Sequence, residues 1–161
     1  MKALAKPAGP PPYGAEDQVL KTIPAIITPE LLHSLALMGH GDILAIVDRN
    51  YPSHAGSQRV HHLAGVDATS AADAILSLFP VDDFTLPAAF RMTPDGQPDA
   101  FYPAHESFRQ SLRRHEGREV DVEGVPRTQF YTMAAAAFAV VQTTDDRPFS
   151  CFLVVKGVIV D

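Results

Sequence analysis

The sequence predicts one three-layer α/β domain, with a mostly parallel central sheet and an antiparallel hairpin at its C-terminal end. Three observations lead there. Helical and strand-like apolar patterns alternate along the chain, as in folds that cover a parallel sheet with helices on both faces. Ile43–Val47 is an unbroken apolar run of strand length, the mark of a strand buried on both sides. Near the end, the apolar segments 138–143 and 149–156 are separated only by 144–148, a connection short enough for a hairpin.

The elements follow in order. Residues 1–18 hold Pro7, Pro10, Pro11 and Pro12 and few large apolar side chains, so they form a proline-rich extension or tail, and the domain occupies 19–161. Thr28-Pro29-Glu30 starts a helix, with a capping hydroxyl, a proline at the first position and an acid in the first turn. Leu31, Leu32, Leu35 and Met38 continue it at helical spacing, and Gly39 is expected to close it in the left-handed conformation. Ile43–Val47 is the first strand and Val60–Leu63 a shorter one. Ser70 with Asp73 resembles a capping box before a helix whose inner face is Ala72, Ile75, Leu76 and Phe79. A weaker strand over 84–92 is interrupted by Pro87. A helix over 104–116 turns Phe108 and Leu112 inward, a short strand covers 119–122, and a helix over 128–137 carries Phe130, Met133, Ala134 and Ala137 on one face.

Composition narrows the function classes. The 161 residues are 46% hydrophobic and 20% charged, ordinary for a single packed domain. Thirteen basic against nineteen acidic residues give a formal charge of −6 with no basic block, so nucleic acid is not an expected partner. No apolar run approaches the roughly 20 residues of a membrane span. The single Cys151 cannot form an internal disulfide, which fits a reducing, cytoplasmic compartment, and its place in a strand marks it as packing. There is no GxGxxG, P-loop or GxSxG, so no cofactor is expected. No metal site is expected either. His40 and Asp42 lack the spacing of known metal motifs, and the adjacent His61 and His62 point to opposite faces of a strand.

Four residues stand out chemically. His40 lies between two glycines just past a helix end, open to a ligand and suited to donating and accepting a proton near neutral pH; it fits an exposed loop residue equally. Asp48 ends the first strand, where ligands of parallel α/β sheets bind; it also fits a turn residue. Arg127 and Tyr131, four apart on a helix, offer a cation and a phenol on one face for a polyhydroxylated ligand, or an ordinary helix start with a half-buried ring.

These residues sit in a pattern that resembles the ribose pyranase and fucose mutarotase family. It runs through Leu20-Lys21-Thr22-Ile23-Pro24, Ile27-Thr28-Pro29-Glu30-Leu31-Leu32 and Met38-Gly39-His40-Gly41-Asp42. It continues through Asp48-Arg49-Asn50-Tyr51-Pro52-Ser53-His54, the segment 76–82, Arg127 with Phe130-Tyr131, and Lys156-Gly157-Val158. The Phe-Tyr pair is closer to the fucose branch. The resemblance implies a cofactor-independent mutarotase interconverting anomers or ring forms of a free, fucose-like monosaccharide. A ribose-type pyranase and a non-catalytic sugar-binding oligomer are the alternatives. It implies a homo-oligomer, a decameric ring with sites completed across subunit interfaces. His40 would be the proton donor, and Asp48, Arg127 and Tyr131 would bind the sugar. One departure bears on the sugar: where the family carries Tyr-Gly-Asn or Tyr-Ala-Asn, this chain has Phe149-Ser150-Cys151.

Overall fold

The computed structural model describes residues 18–57 and 59–161, so the proline-rich extension assigned to 1–18 lies, but for Gln18, outside the described residues. Among the described residues four α-helices, α1 (Pro29–Leu37), α2 (Ala68–Leu76), α3 (Pro103–Glu116) and α4 (Arg127–Ala135), surround six strands. The strands are β1 (Ile43–Val47), β2 (Val60–Leu63), β3 (Ala89–Thr93), β4 (Val122–Pro126), β5 (Ala139–Thr143) and β6 (Phe152–Val155). They form one sheet in the order β2-β5-β1-β6-β3-β4. Five strands run parallel, and β6 alone runs against its neighbours β1 and β3.

The mostly parallel sheet matches the expectation; the hairpin does not. β5 and β6 follow each other in sequence, yet β1 lies between them, Leu44 pairing with Ala139 on one side and Val154 on the other. The connection 144–151 passes over the C-terminal end of β1 instead of turning tightly: Arg49 N–H donates to the Asp145 carbonyl. The apolar, two-faced β1 satisfies both edges at the centre of the sheet, a choice made by long-range packing that loop length does not encode.

The alternation within β1 builds two cores. Leu44 and Ile46 join Phe152, Val154 and the inner faces of α1, α2 and α3, while Ala45 and Val47 join Cys151, Leu153 and the Phe130 face of α4. Local signals hold with small shifts. Thr28 Oγ1 caps α1 by accepting from Leu31 N–H at 3.1 Å. α1 then ends in an extended Met38, and the left-handed residue is Gly41, at φ 86°, not Gly39. α2 is capped by Asp67, whose carboxylate accepts from Ser70 N–H at 2.8 Å, so Ser70 is the capped residue and not the cap. Among the described residues no helix is long and apolar enough to cross a membrane.

Candidate functional site

The loop before β1 carries His40 and is tied to the end of β6. Gly41 N–H donates to the Lys156 carbonyl at 2.9 Å, and Lys156 N–H to the Asp42 carbonyl at 2.8 Å. Asp42 Oδ2 accepts from Gly39 N–H at 2.7 Å. The His40 side chain is 45% exposed, with Nε2 3.0 Å from Oδ1 of the buried Asp82 and its ring edge-on to Phe84. Asp82 also accepts from the N–H groups of Phe84 (3.2 Å) and Thr85 (3.1 Å). Arg118 fixes the same segment through the Val81 and Asp82 carbonyls. Gly157 lets β6 run close by: a Cβ there would lie 2.8 Å from the Val81 carbonyl oxygen and 2.9 Å from Asp82 Cα.

Burial alone would raise the Asp82 pKa. The Phe84 N–H, the His40 hydrogen bond, the Thr85 N–H and the His40 charge outweigh it and hold the carboxyl below the usual range. A carboxylate only accepts, so the hydrogen sits on Nε2 and Nδ1 is left for a ligand.

Asp48 lies at the other end of β1, a strand of five residues spanning roughly 16 Å at about 3.3 Å per residue. It is buried, with one short hydrogen bond to its carboxylate, from Asn50 N–H at 2.9 Å, and no ion-pair partner among the described residues. Burial raises its pKa, offset only in part by the Asn50 N–H, the Cys151 thiol and the Tyr51 N–H. Gln142 Nε2 holds its backbone carbonyl at 2.7 Å, and its own N–H donates to Cys151 Sγ at 3.4 Å.

Arg127 and Tyr131 meet as their spacing predicts, the guanidinium carbon 5.7 Å from the ring centroid. Arg127 also pairs with Asp95 at 3.3 Å. Tyr131 meets Tyr51 edge-on at 5.1 Å, and burial, with Cys151 and Tyr131 nearby, pushes the Tyr51 pKa up to about 12. An open pocket of about 560 Å³ adjoins this end, lined by Arg49, Tyr51, His54, His62, Gln142 and Thr144. His61 and His62 diverge as expected, His61 Nε2 to Ser34 on α1 and His62 Nε2 to His54.

One chain therefore gathers Asp48, Arg127 and Tyr131, with Tyr51 as the link, and sets His40 apart at the far end. Asp82 and Tyr51 are not among the four residues that stand out chemically in the sequence. Asp82 acts on His40 across 42 positions, which no local spacing reveals. Tyr51 had a signal, an aromatic three residues past the strand-end Asp48, but its partner Tyr131 comes from α4.

Comparison with known proteins covers nearly the whole domain. The profile of the RbsD / FucU transport protein family matches residues 21–159. The fucose mutarotase of Danio rerio is 35% identical over 147 residues, 88% of this chain and 95% of that protein. The crystal structure of the fucose mutarotase from Streptococcus pneumoniae in complex with L-fucose superposes with a TM-score of 0.79 at 30% identity, over 88% of this chain and 100% of that one. Bacillus subtilis RbsD, solved with D-ribose, shares the fold at 16% identity and a TM-score of 0.67, over 83% of this chain and 95% of that one.

Proposed function

Because the chain belongs to the RbsD / FucU family, we propose that it is a fucose-type mutarotase, an isomerase that interconverts the anomers of a free monosaccharide. The observation that carries this reading is the His40–Asp82 pair: an exposed imidazole clamped at Nε2 by a buried carboxylate, with Nδ1 open.

Anomer exchange needs only proton movements. The C1–O5 bond of the cyclic hemiacetal breaks as O5 gains a proton and O1 loses one to become the aldehyde oxygen. Rotation about C1–C2 and closure on the other face give the second anomer. With Nε2–H held by Asp82, a proton on His40 Nδ1 passes to O5 while water takes the O1 proton, and both transfers reverse at ring closure, a contribution of roughly 10²–10⁴-fold for a positioned acid–base group. Asp82 stays ionised and holds the ring in one orientation. Asp48 accepts hydrogen bonds from sugar hydroxyls, Arg127 donates to them, and Tyr131 offers a phenol and an apolar edge.

His40 and Asp48 stand at opposite ends of one strand, so the working site joins the His40 end of one subunit to the Asp48 end of another, in a closed ring of identical chains. Exposed Phe84, edge-on to His40, and the exposed Leu37 and Leu86, near His40 and Phe84 in sequence, supply apolar surface for that contact. The lone buried Cys151 suits a cytoplasmic setting.

Magnetisation-exchange NMR on free L-fucose tests the activity. Exchange between α and β anomers faster than in buffer is expected; binding without acceleration would leave a sugar-binding oligomer instead. D-ribose in the same experiment tests the pyranase alternative. Light scattering that finds only a 17.4 kDa species at micromolar concentration would overturn the shared site.

A further inference from the structure

The scheme above leaves one fully buried histidine unused. His105 lies in the first turn of α3. Tyr102 N–H donates to its Nδ1 at 3.1 Å, which places the ring hydrogen on Nε2. Nε2 in turn donates to the Phe149 carbonyl at 3.0 Å. Burial lowers the His105 pKa, partly opposed by the Phe149 bond, so the ring is neutral, as both bonds require.

Phe149 is the residue that needs holding. Its φ of 60° is left-handed, a conformation that bulky side chains rarely adopt and that persists only where surroundings impose it. Two contacts impose it here. The carbonyl is bonded to His105, and the ring stacks on Tyr102 with centroids 5.7 Å apart and planes 7° from parallel. His105 thus grips both Tyr102 and Phe149. The half-buried Phe149 ring packs in the same cluster as Tyr51 and Tyr131, and two residues on, Cys151 Sγ meets the Asp48 N–H.

We propose that His105 is a positioning residue of the sugar site, locking Phe149 in its left-handed turn so that the ring forms an apolar wall beside Asp48. This rests on the mutarotase reading and deepens it. A wall without a phenol favours a sugar that presents a deoxy carbon there over one that presents a hydroxyl. Such a pocket discriminates modestly, by roughly 10–100-fold, because it rejects a hydroxyl only by failing to solvate it.

Two substitutions separate the two bonds of His105. In His105→Asn the short amide lies near the old Nδ1 position, where its oxygen accepts from Tyr102 N–H, and it cannot reach Phe149. In His105→Gln the longer amide reaches the old Nε2 position and donates to the Phe149 carbonyl. Exchange rates are measured for L-fucose and for its 6-hydroxy counterpart, L-galactose, with circular dichroism and light scattering on each variant. Expected for His105→Asn is a KM for L-fucose about tenfold higher at nearly unchanged kcat, with a narrowed preference over L-galactose; His105→Gln stays near wild type. If His105→Asn fails to fold, Phe149→Gly, which accepts the left-handed turn without a ring, is expected to give the same KM rise. Unchanged KM and preference in His105→Asn or, in its place, Phe149→Gly, beside a wild type that exchanges L-fucose, overturn this inference alone. A wild type that accelerates neither sugar overturns the mutarotase reading, and this inference with it.

Discussion

The two ends of β1 each bury an aspartate and treat it in opposite ways. Asp82, beside the His40 loop, is 0% exposed and takes two backbone N–H groups and an imidazole N–H; its pKa falls. Asp48, at the other end, is 6% exposed and takes one short bond to its carboxylate, from Asn50; its pKa rises. The Asp82 carboxylate, bonded on both oxygens, spends its acceptors on the turn and on orienting His40. The buried Asp48 carboxylate, its pKa raised by burial, is kept at a cost to stability and stands to gain from a hydrogen-bonding partner that a ligand supplies. On the proposed reading, one end moves protons and the other grips hydroxyls.

The contrast breaks most sharply at His40. His40→Asn retains hydrogen bonding but cannot titrate near neutral pH, and it should lower the catalysed anomer exchange of L-fucose by about 10²–10⁴-fold with assembly intact. Wild-type exchange in that variant would move the proton donor elsewhere, Tyr131 first. Combining the ends is the next test. His40→Asn and Asp48→Asn chains, each deficient alone at L-fucose well below the wild-type KM, are refolded together at equal ratio. If every site draws His40 and Asp48 from different subunits, random assembly gives about a quarter of sites both native residues, and activity returns to that level. Complementation that fails in a verified mixed oligomer would place both residues of a site in one chain.

Asp82→Asn should sharpen the same division. One amide oxygen cannot serve donors that approach both carboxylate oxygens, so a buried N–H loses its partner at a cost of about 1–3 kcal/mol, read from urea denaturation. His40 loses its orienting charge in the same variant, and exchange should fall about tenfold or more. Gly157→Ala acts on this end from the other side. Its Cβ would collide with the Val81 carbonyl and the Asp82 backbone, and overpacking of that kind costs about 1–3 kcal/mol. Sugar binding measured by calorimetry should weaken less than exchange in both variants.

The legible parts of this chain were the local ones. β1 has the limits of its apolar run and β2 those expected of it, α1 begins at the Thr28 cap, and Arg127 stacks on Tyr131 as four-residue spacing requires. His40 and Asp48 stand out as candidates because each sits at a chain punctuation, a glycine pair and a strand end. What escaped depends on contacts between distant segments. β6 looked like the partner of β5 because they are neighbours in sequence, but β1 can be paired on both edges and takes the place between them. β4 lies later than the expected 119–122, at Val122–Pro126, where its register with Ala89–Thr93 sets it. Asp82 enters the sequence reading only as the end of segment 76–82; its burial and its bond to His40 give it a role.

The smallest expected effect is also the most direct reading of the contrast between the aspartates, because the two should respond to pH with opposite sign. Asp82 has a folded pKa below its ordinary value of 3.8, so its stabilisation is complete above that value and is lost as pH falls through the folded pKa. The deficit of Asp82→Asn against wild type should therefore be full at pH 7 and shrink under acid. Asp48 has a folded pKa above 3.8, so its favourable contribution belongs to the protonated form, is present below 3.8 and is lost as pH rises through the folded pKa. At pH 7 its buried charge is a burden that an amide removes, while the amide oxygen still accepts from Asn50. Asp48→Asn should match wild type near pH 3.5 and exceed it at pH 7, by on the order of 0.5–1 kcal/mol in urea denaturation. The same variant should raise the KM for L-fucose about tenfold, since it loses the charged acceptor. A variant less stable than wild type at pH 7 would mean that the Asp48 carboxylate is already satisfied within the chain and is not reserved for a sugar.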